Sequence, residues 1–232
     1  EDAAIRKRAA RTLRLMAREA TVPFLIHDDK LMDTLSNRAI HDSCSEVRAE
    51  AAEAFARCAG LVKAAMGQHD AVLDALTQLA SSPHVPPDVM ARAVMEQARH
   101  PENRASLAKR TKLLTTLAHI ALSSKSSTNA KENVCNTFLD LSTDNCSHET
   151  LTNQIVLTAL VHNAANNVES HTLIREISVR ALVNLAAFST NAKLMAKHPR
   201  LIQSLLQFAA TTSQDELKKE VKLVLLTLTA EL

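Results

Sequence analysis

The chain has 232 residues, a formal net charge of +2, 46% hydrophobic residues and no tryptophan or tyrosine. A charge this close to neutral argues against a protein built chiefly to coat nucleic acid, because that task needs a large basic excess. The two glycines, Gly60 and Gly67, are too few for the glycine-rich loops that cradle nucleotide phosphates. No apolar run reaches the roughly 18 residues of a membrane span.

A helical sequence motif, called the phrase, recurs five times along the chain. Each copy has an apolar pair, two further residues, a leucine, and an alanine four positions after that leucine. The copies are residues 31–39, 72–80, 113–121, 156–164 and 201–209, and their starts lie 41, 41, 43 and 45 residues apart. A helical repeat with a period of about 40–47 residues predicts an all-α solenoid, which grows by adding repeats and has no single closed core.

A polar break and a second, longer helix follow each phrase. Ser43 with Glu46, and Ser213 with Glu216, have the spacing of a capping box, which predicts that a helix starts there. Three prolines within 83–87 forbid helix in the second break, and Asp88 is predicted to cap the helix that follows. The predicted ends of the second helices are residues 59, 98, 141, 187 and 228.

A short third segment separates each second helix from the next phrase. These segments are predicted at residues 20–26, 61–66, 103–107, 148–152 and 191–195. Three helices in a repeat, one of them short, distinguish the armadillo arrangement from the two-helix HEAT arrangement.

Residues 181–209, which read ALVNLAAFSTNAKLMAKHPRLIQSLLQFA, resemble an armadillo repeat. The family pattern is roughly A-L-x-N-L-A, a later N, then M or I, then a turn and L-I-x-L-L. The residues that fit it are Ala181, Leu182, Asn184, Leu185, Ala186, Asn191, Met195, Leu201, Ile202, Leu205 and Leu206. The other copies fit more loosely, and the family's turn glycine before the L-I phrase is absent.

The resemblance implies a right-handed superhelix of α-helices that forms a single armadillo-type domain over residues 1–232. About four complete repeats are expected, with a partial repeat at each end. The expected boundaries are a partial repeat at 1–27, complete repeats at 28–69, 70–110, 111–153 and 154–198, and a partial repeat at 199–232.

In armadillo proteins the long final helix of each repeat lines a concave groove. Peptide-binding members carry an asparagine at the position of Asn184 and a tryptophan four residues earlier, repeated along the groove. The equivalents of Asn184 here are Leu15, Arg57, Glu96 and Asp140, so this pattern is not kept and an importin-like receptor is not predicted. The candidate partner-binding residues are Arg11, Glu53, Arg57, Arg92, Glu96, Arg99, Asn136, Asp140, Arg180 and Asn184.

The same residues have a second interpretation as a solvated helix face. Spacing by four would pair Glu53 with Arg57 and Arg92 with Glu96 within their helices. Each such pair contributes only about 0.2–0.5 kcal/mol. Partner binding and simple solvation therefore remain two open hypotheses for this face.

Six basic residues open the chain without an acidic residue among them: Arg6, Lys7, Arg8, Arg11, Arg14 and Arg18. They support an alternative function, which is electrostatic binding of nucleic acid or of an anionic membrane. They also fit an edge helix whose charges keep it soluble. Single-stranded nucleic-acid readers use exposed aromatic side chains, whereas Phe24, Phe55, Phe138, Phe188 and Phe208 all lie in apolar settings and are predicted to be core.

Catalytic, metal and cofactor sites are not predicted. The cluster Cys146-Ser147-His148 near Cys135 lacks the paired spacing of a structural zinc site. The four cysteines form no Cys-x-x-Cys pair and are expected to be reduced, which favours an intracellular location, cytoplasmic or nuclear. The predicted function is a protein-interaction scaffold that binds a protein or peptide partner along the groove, with nucleic acid and membrane not favoured as partners and no oligomeric state predicted.

Overall fold

The computed structural model describes residues 2–17, 29–60, 69–144, 147–166 and 171–231. Within these ranges the regular structure consists of fourteen helices, and no strand is present. The chain divides into two compact units, Glu1–Thr116 (unit 1) and Leu117–Leu232 (unit 2).

Unit 1 stacks its long helices side by side. Helix α3 packs against both α1 and α2, and α5 packs against α3. The seventh helix begins in this unit and ends in the next. The helices are α1 (Ala3–Met16), α2 (Asp29–His41), α3 (Ser45–Ala59), α4 (His69–Leu79), α5 (Pro87–Ala98), α6 (Pro101–Ala108) and α7 (Thr111–Leu122).

Unit 2 repeats this arrangement. Helix α11 is its centre, because it packs against α8, α10, α12 and α14. The helices are α8 (Thr128–Ser142), α9 (His148–Leu151), α10 (Gln154–Ala164), α11 (Thr172–Ala186), α12 (Ser189–Ala196), α13 (Leu201–Thr211) and α14 (Asp215–Ala230).

The recurring leucine of the helical phrase forms the core of every repeat. Burial of one leucine side chain contributes about 1.5–3 kcal/mol, so the recurring leucine stabilises each repeat. None of the five is more than 3% exposed; they are Leu35, Leu76, Leu117, Leu160 and Leu205. The interpretation of the phrase as the buried face of a helix is confirmed.

The predicted third segments are helical wherever the structure describes them. Helices α6, α9 and α12 coincide with the segments predicted at 103–107, 148–152 and 191–195. The segments predicted at 20–26 and 61–66 lie outside the described residues.

The helices do not begin with the N-cap residues that the sequence predicts, which are Ser43, Ser213 and Asp88. Helix α3 has Cys44 at its N-cap, where the Asp42 carboxylate accepts a hydrogen bond from the Cys44 amide at 3.0 Å. Helix α14 has Gln214 at its N-cap, and its amide donates to the Thr212 hydroxyl at 3.2 Å. A local side-chain turn therefore satisfies the backbone in place of each predicted capping box. Proline at the first position of α5 moves Asp88 from the cap into the first turn.

The aromatic predictions hold for three of the five phenylalanines. Phe55, Phe138 and Phe208 are each at most 1% exposed. Phe188 is wrong as a core residue, because it is 36% exposed at the N-cap of α12. Its ring meets His148 edge to face, with centroids 3.8 Å apart. Phe24 lies outside the described residues.

Candidate functional site

All ten candidate partner-binding residues lie in described parts of the chain, on or at the end of the long helices. Six belong to unit 1, on α1, α3 and α5, and four belong to unit 2, on α8 and α11. Their exposure divides by residue type. The five arginines, Arg11, Arg57, Arg92, Arg99 and Arg180, are exposed. The acidic and amide residues, Glu53, Glu96, Asn136, Asp140 and Asn184, are half-buried.

Glu53 of α3 receives two guanidinium groups. The Arg57 Nη2 atom lies 2.6 Å from its carboxylate, which confirms the predicted pair within the helix. Arg14 of α1 reaches the same carboxylate at 3.5 Å and that of Glu50 at 2.6 Å. The hydrogen bond to Glu50 is the main reason that the pKa of Arg14 is raised above its ordinary value. Arg14 thus joins two neighbouring long helices, a role that the sequence reasoning missed.

Glu96 of α5 pairs with a different arginine from the one predicted. Arg99 donates to both of its carboxylate oxygens, at 2.9 and 3.0 Å, and the predicted pair with Arg92 is wrong. A glutamate that precedes its cation along a helix is the more favourable order, which explains why Glu96 pairs forward. Arg92 is left exposed, without a hydrogen-bond or ion-pair partner among the described residues.

The end of α3 lies directly against the middle of α5. The Gln97 side-chain amide donates to the Ala59 carbonyl at 2.7 Å, and both groups are buried. A Cβ atom at Gly60 would lie 3.3 Å from Ala93 Cα and 3.5 Å from Glu96 Cβ, which makes glycine the residue that this close approach suits. The last turn of α3, which carries Arg57, is therefore next to the part of α5 that carries Glu96.

Several basic residues near the start of the chain form ion pairs with acidic residues of unit 1. Arg6 binds the Asp42 carboxylate through two hydrogen bonds, at 2.8 and 3.0 Å, and the Asp42 side chain is fully inaccessible to solvent. Arg38 contacts the same carboxylate at 3.3 Å. The Arg6 hydrogen bonds are the main reason that the pKa of Asp42 is lowered to about 2. Lys7 lies 3.9 Å from Glu46. Three of the five described basic residues, Arg6, Lys7 and Arg14, thus have acidic partners inside the unit, and Arg18 lies outside the described residues.

Two of the four candidate residues of unit 2, Asn184 and Arg180, have neutral hydrogen-bond partners. The Asn184 amide of α11 donates to the Ser142 hydroxyl of α8 at 3.0 Å. Arg180 donates to the Gln214 side-chain carbonyl at 3.2 Å. The asparagine that fits the family position thus has a partner in the preceding repeat.

Three polar residues, Asn103, His148 and Asn191, follow the ends of long helices. From the sequence they were predicted only to be the first residues of the third segments. The Asn191 amide donates to the Leu185 carbonyl at 3.2 Å, and a His148 ring nitrogen lies 2.8 Å from the Ser142 carbonyl. Asn103 donates to the Gln97 side chain at 2.8 Å. Each reaches back six residues. Asn191 and His148 contact backbone carbonyls at the ends of the preceding helices, which is a helix-capping role, whereas Asn103 binds a side chain.

The described cysteines, Cys44, Cys58 and Cys135, are free thiols. Burial raises the pKa of both Cys58 and Cys135 to about 11, which leaves almost no reactive thiolate at neutral pH. The described residues contain no cluster of three or more side chains that could hold a metal ion. In the same parts of the chain, no helix combines the length and apolar character needed to cross a membrane.

No protein-family model and no curated protein matches this sequence. Solved structures match it in fold. The designed armadillo repeat protein YIII(Dq)4CqI has a TM-score of 0.72 at 18% identity, over 98% of this chain and 94% of its own. An engineered protein from the Northeast Structural Genomics Consortium has a TM-score of 0.71 at 19% identity, over 99% and 92%.

A third similar structure contains a ligand. The designed armadillo repeat protein YIII(Dq.V1)4CPAF, in complex with the peptide (KR)4, has a TM-score of 0.69 at 17% identity, over 95% of this chain and 91% of its own. These likenesses, together with the helical repeats, show that the chain has an armadillo-type, all-α solenoid fold.

Proposed function

We propose that the chain is a protein-interaction module that binds a segment of a partner protein along the exposed faces of its long helices. The observation that carries this proposal is the division of exposure among the ten candidate residues. The arginines face solvent, whereas the acidic and amide residues beside them are half-buried. Exposed guanidinium groups on successive repeats are suited to charge-assisted hydrogen bonds with a ligand.

Stacking of the repeats does not account for the exposed arginines Arg57 and Arg99 of unit 1. In unit 1 the polar links between long helices come from Arg6, Arg14 and Gln97. Arg57 and Arg99 bond only within or at the end of their own helices, where an exposed pair contributes about 0.5 kcal/mol or less. A binding role better explains why these side chains are exposed. A designed armadillo repeat protein of similar fold is in complex with a peptide.

The contacts would differ from those of the family's peptide binders. The chain has no tryptophan, and Asn184 already donates to Ser142. Guanidinium groups, rather than a repeated asparagine, would therefore supply most of the hydrogen bonds to the partner.

We also infer that the chain has no catalytic role and works inside the cell, in the cytoplasm or the nucleus. The raised pKa values of Cys58 and Cys135 support the first inference, because a catalytic thiol needs a lowered pKa. Free thiols at Cys44, Cys58 and Cys135 support the second, because such thiols persist in reducing compartments.

Electrostatic binding through the first helix stays the alternative. Arg8 and Arg11 are exposed there, but Arg6, Lys7 and Arg14 have acidic partners in unit 1. A salt titration separates the two functions, because counterion-driven binding weakens steeply with salt.

The proposal is tested by selecting binders from a library of random peptides displayed on phage. We expect selected peptides to lose affinity for the triple variant Arg57→Glu, Arg92→Glu, Arg180→Glu. The matched control reverses three exposed lysines outside the candidate residues, Lys109, Lys112 and Lys197. Peptides that bind the triple variant as tightly as the native chain, or a library that yields no binder, would contradict the proposal.

A further inference from the structure

We propose that the candidate residues of unit 1 recognise an acidic segment of a partner protein; this inference rests on the proposed function and specifies its ligand. The surface in question consists of Arg11, Arg57, Arg92 and Arg99 and is named the arginine strip. It is carried by α1, α3 and the end of α5.

The outward charge of this surface is positive although acidic residues are interspersed in it. The side chains of Arg57 and Arg99 are 42% and 57% exposed, whereas those of Glu53 and Glu96 are only 20% and 23% exposed. An approaching ligand therefore meets guanidinium groups before it meets carboxylates.

The glutamates of this surface already have positive partners. Glu53 is bound by both Arg14 and Arg57, and Glu96 by Arg99. Arg11 and Arg92 are exposed without a hydrogen-bond or ion-pair partner among the described residues. Arg11 and Arg92 thus present positive charge that no described residue neutralises, and charge complementarity at these positions favours a negatively charged ligand.

A protein carboxylate suits this surface better than a nucleic-acid backbone does. Duplex nucleic acid carries a charge about every 1.7 Å along its axis, and Glu53 and Glu96 would face some of those charges. A segment with spaced Asp and Glu side chains can set its carboxylates against the arginines alone. The planar guanidinium group also binds carboxylates with two parallel hydrogen bonds.

The described part of unit 1 has no exposed aromatic side chain on which a nucleic-acid base could stack. Its one described phenylalanine, Phe55, is only 1% exposed. Single-stranded nucleic acid gains about 1–3 kcal/mol for each base stacked on an aromatic ring, and that contribution is missing from the arginine strip.

The test uses the full chain and a labelled peptide of alternating Glu and Ser, with binding followed by fluorescence anisotropy. A peptide with Gln in place of Glu, the peptide (KR)4 and a single-stranded oligonucleotide serve as comparison probes. We expect the acidic peptide alone to bind measurably. The variant Arg57→Glu, Arg92→Glu should bind it at least about tenfold more weakly, because it loses two charge-assisted hydrogen bonds and gains repulsion between like charges.

The matched control is the variant Lys109→Glu, Lys112→Glu, which reverses two exposed charges of unit 1 outside the arginine strip. It should bind within about twofold of the native chain, as expected for charges remote from a ligand. Far-ultraviolet circular dichroism and the thermal midpoint check that both variants are folded.

The outcomes separate this inference from the proposed function. Failure of the acidic peptide to bind, or equal binding of the Gln peptide or of (KR)4, overturns the acidic ligand. The proposed function then still stands if selected library peptides depend on the arginines. Tighter binding of the oligonucleotide, with a steep loss in salt, overturns the inference in favour of nucleic acid. If the library yields no binder at all, the proposed function fails as well.

Discussion

The two units share a core but differ in the polar links between their long helices. In unit 1 the first helix is tied to its neighbour by ion pairs, Arg6 with Asp42 and Arg14 with Glu50. In unit 2, neutral groups link α8 to α11: Asn184 donates to Ser142, and Ser178 donates to the Cys135 sulfur at 3.3 Å.

This difference shows which part of the repeat is constrained. The apolar positions must fit the neighbouring repeat closely, because packed interiors tolerate little change in volume. The polar links are buried as well, at Asp42, Ser178 and Cys135, and an ion pair fills one of them while neutral groups fill the other. The ion pair of Arg6 with Asp42 should make α1 and α3 sensitive to strongly acidic pH.

The largest expected effect tests the shared core. Phe55 of unit 1 and Phe138 of unit 2 hold the same repeat position and are 1% and 0% exposed. Replacing either with alanine should lower the free energy of unfolding by about 3–5 kcal/mol, measured by urea denaturation. Phe188→Ala is the exposed control and should cost less than about 1.5 kcal/mol. Clearly unequal costs at Phe55 and Phe138 would show that the cores are not equivalent.

The second prediction compares the charged link of unit 1, at Asp42, with the neutral link of unit 2, at Ser178. Asp42→Asn removes the charge that Arg6 and Arg38 share in a site closed to solvent. The lowered pKa of Asp42, about 2 against 3.8, corresponds to a stabilisation of roughly 2 kcal/mol, which Asp42→Asn should remove. Ser178→Ala removes a neutral link of unit 2 and should cost about 1 kcal/mol.

Amide hydrogen exchange measures the loss of stability in each unit separately. The amides of α1 and α3 report the effect of Asp42→Asn, and those of α8 and α11 report the effect of Ser178→Ala. The control Asp70→Asn touches an exposed pair, with Asp70 77% exposed, and should cost about 1 kcal/mol or less. If Asp42→Asn costs no more than Ser178→Ala, charged and neutral links are energetically alike.

A smaller effect appears on acidification. The folded-state pKa of Asp42, about 2, lies below its ordinary value of 3.8. The stabilisation that Asp42 provides is therefore fully present above about pH 4 and is lost as the pH falls through about 2. Amides of α1 and α3 should lose protection over this range before those of α8 and α11. Asp42→Asn should remove the loss of protection that α1 and α3 show between about pH 4 and 2. If that loss persists in the variant, another group causes it.

The smallest effect concerns the exposed arginines themselves. Arg57→Ala in unit 1 and Arg180→Ala in unit 2 should each change the free energy of unfolding by less than about 0.5 kcal/mol, because exposed side-chain pairs contribute little. Thermal and urea denaturation check this result. A loss above about 1 kcal/mol at either site would mean that the arginine stabilises the stack, which would weaken its assignment to partner binding.

Much of the fold could be predicted from the sequence because its signals are local. The spacing of Leu35, Leu76, Leu117, Leu160 and Leu205 marked one buried face in each repeat. The capping boxes failed because several polar side chains near a helix start compete for the same amides, as Asp42 and Thr212 do here. Phe188 failed because an apolar neighbourhood in sequence does not reveal a helix end at the surface.

The candidate residues were placed on the right helices, but their pairing was predicted only in part. Glu53 with Arg57 followed from spacing within one helix, whereas Glu96 pairs with Arg99 instead of Arg92. The roles of Arg6 and Arg14 were missed because their partners Asp42 and Glu50 lie 36 residues further along the chain. The charge count of the first helix alone could not show that these arginines hold the stack.

The sequence by itself determined the period, the helices and their buried faces, since hydrophobic spacing acts within one or two turns of a helix. Only the tertiary structure decided which charges are used inside the protein and which face solvent. Long arginine side chains can reach across a repeat, and their choice of partner depends on how the helices stack. That choice leaves Arg57, Arg92 and Arg99 exposed beside half-buried glutamates, and so gives the arginine strip its outward positive charge.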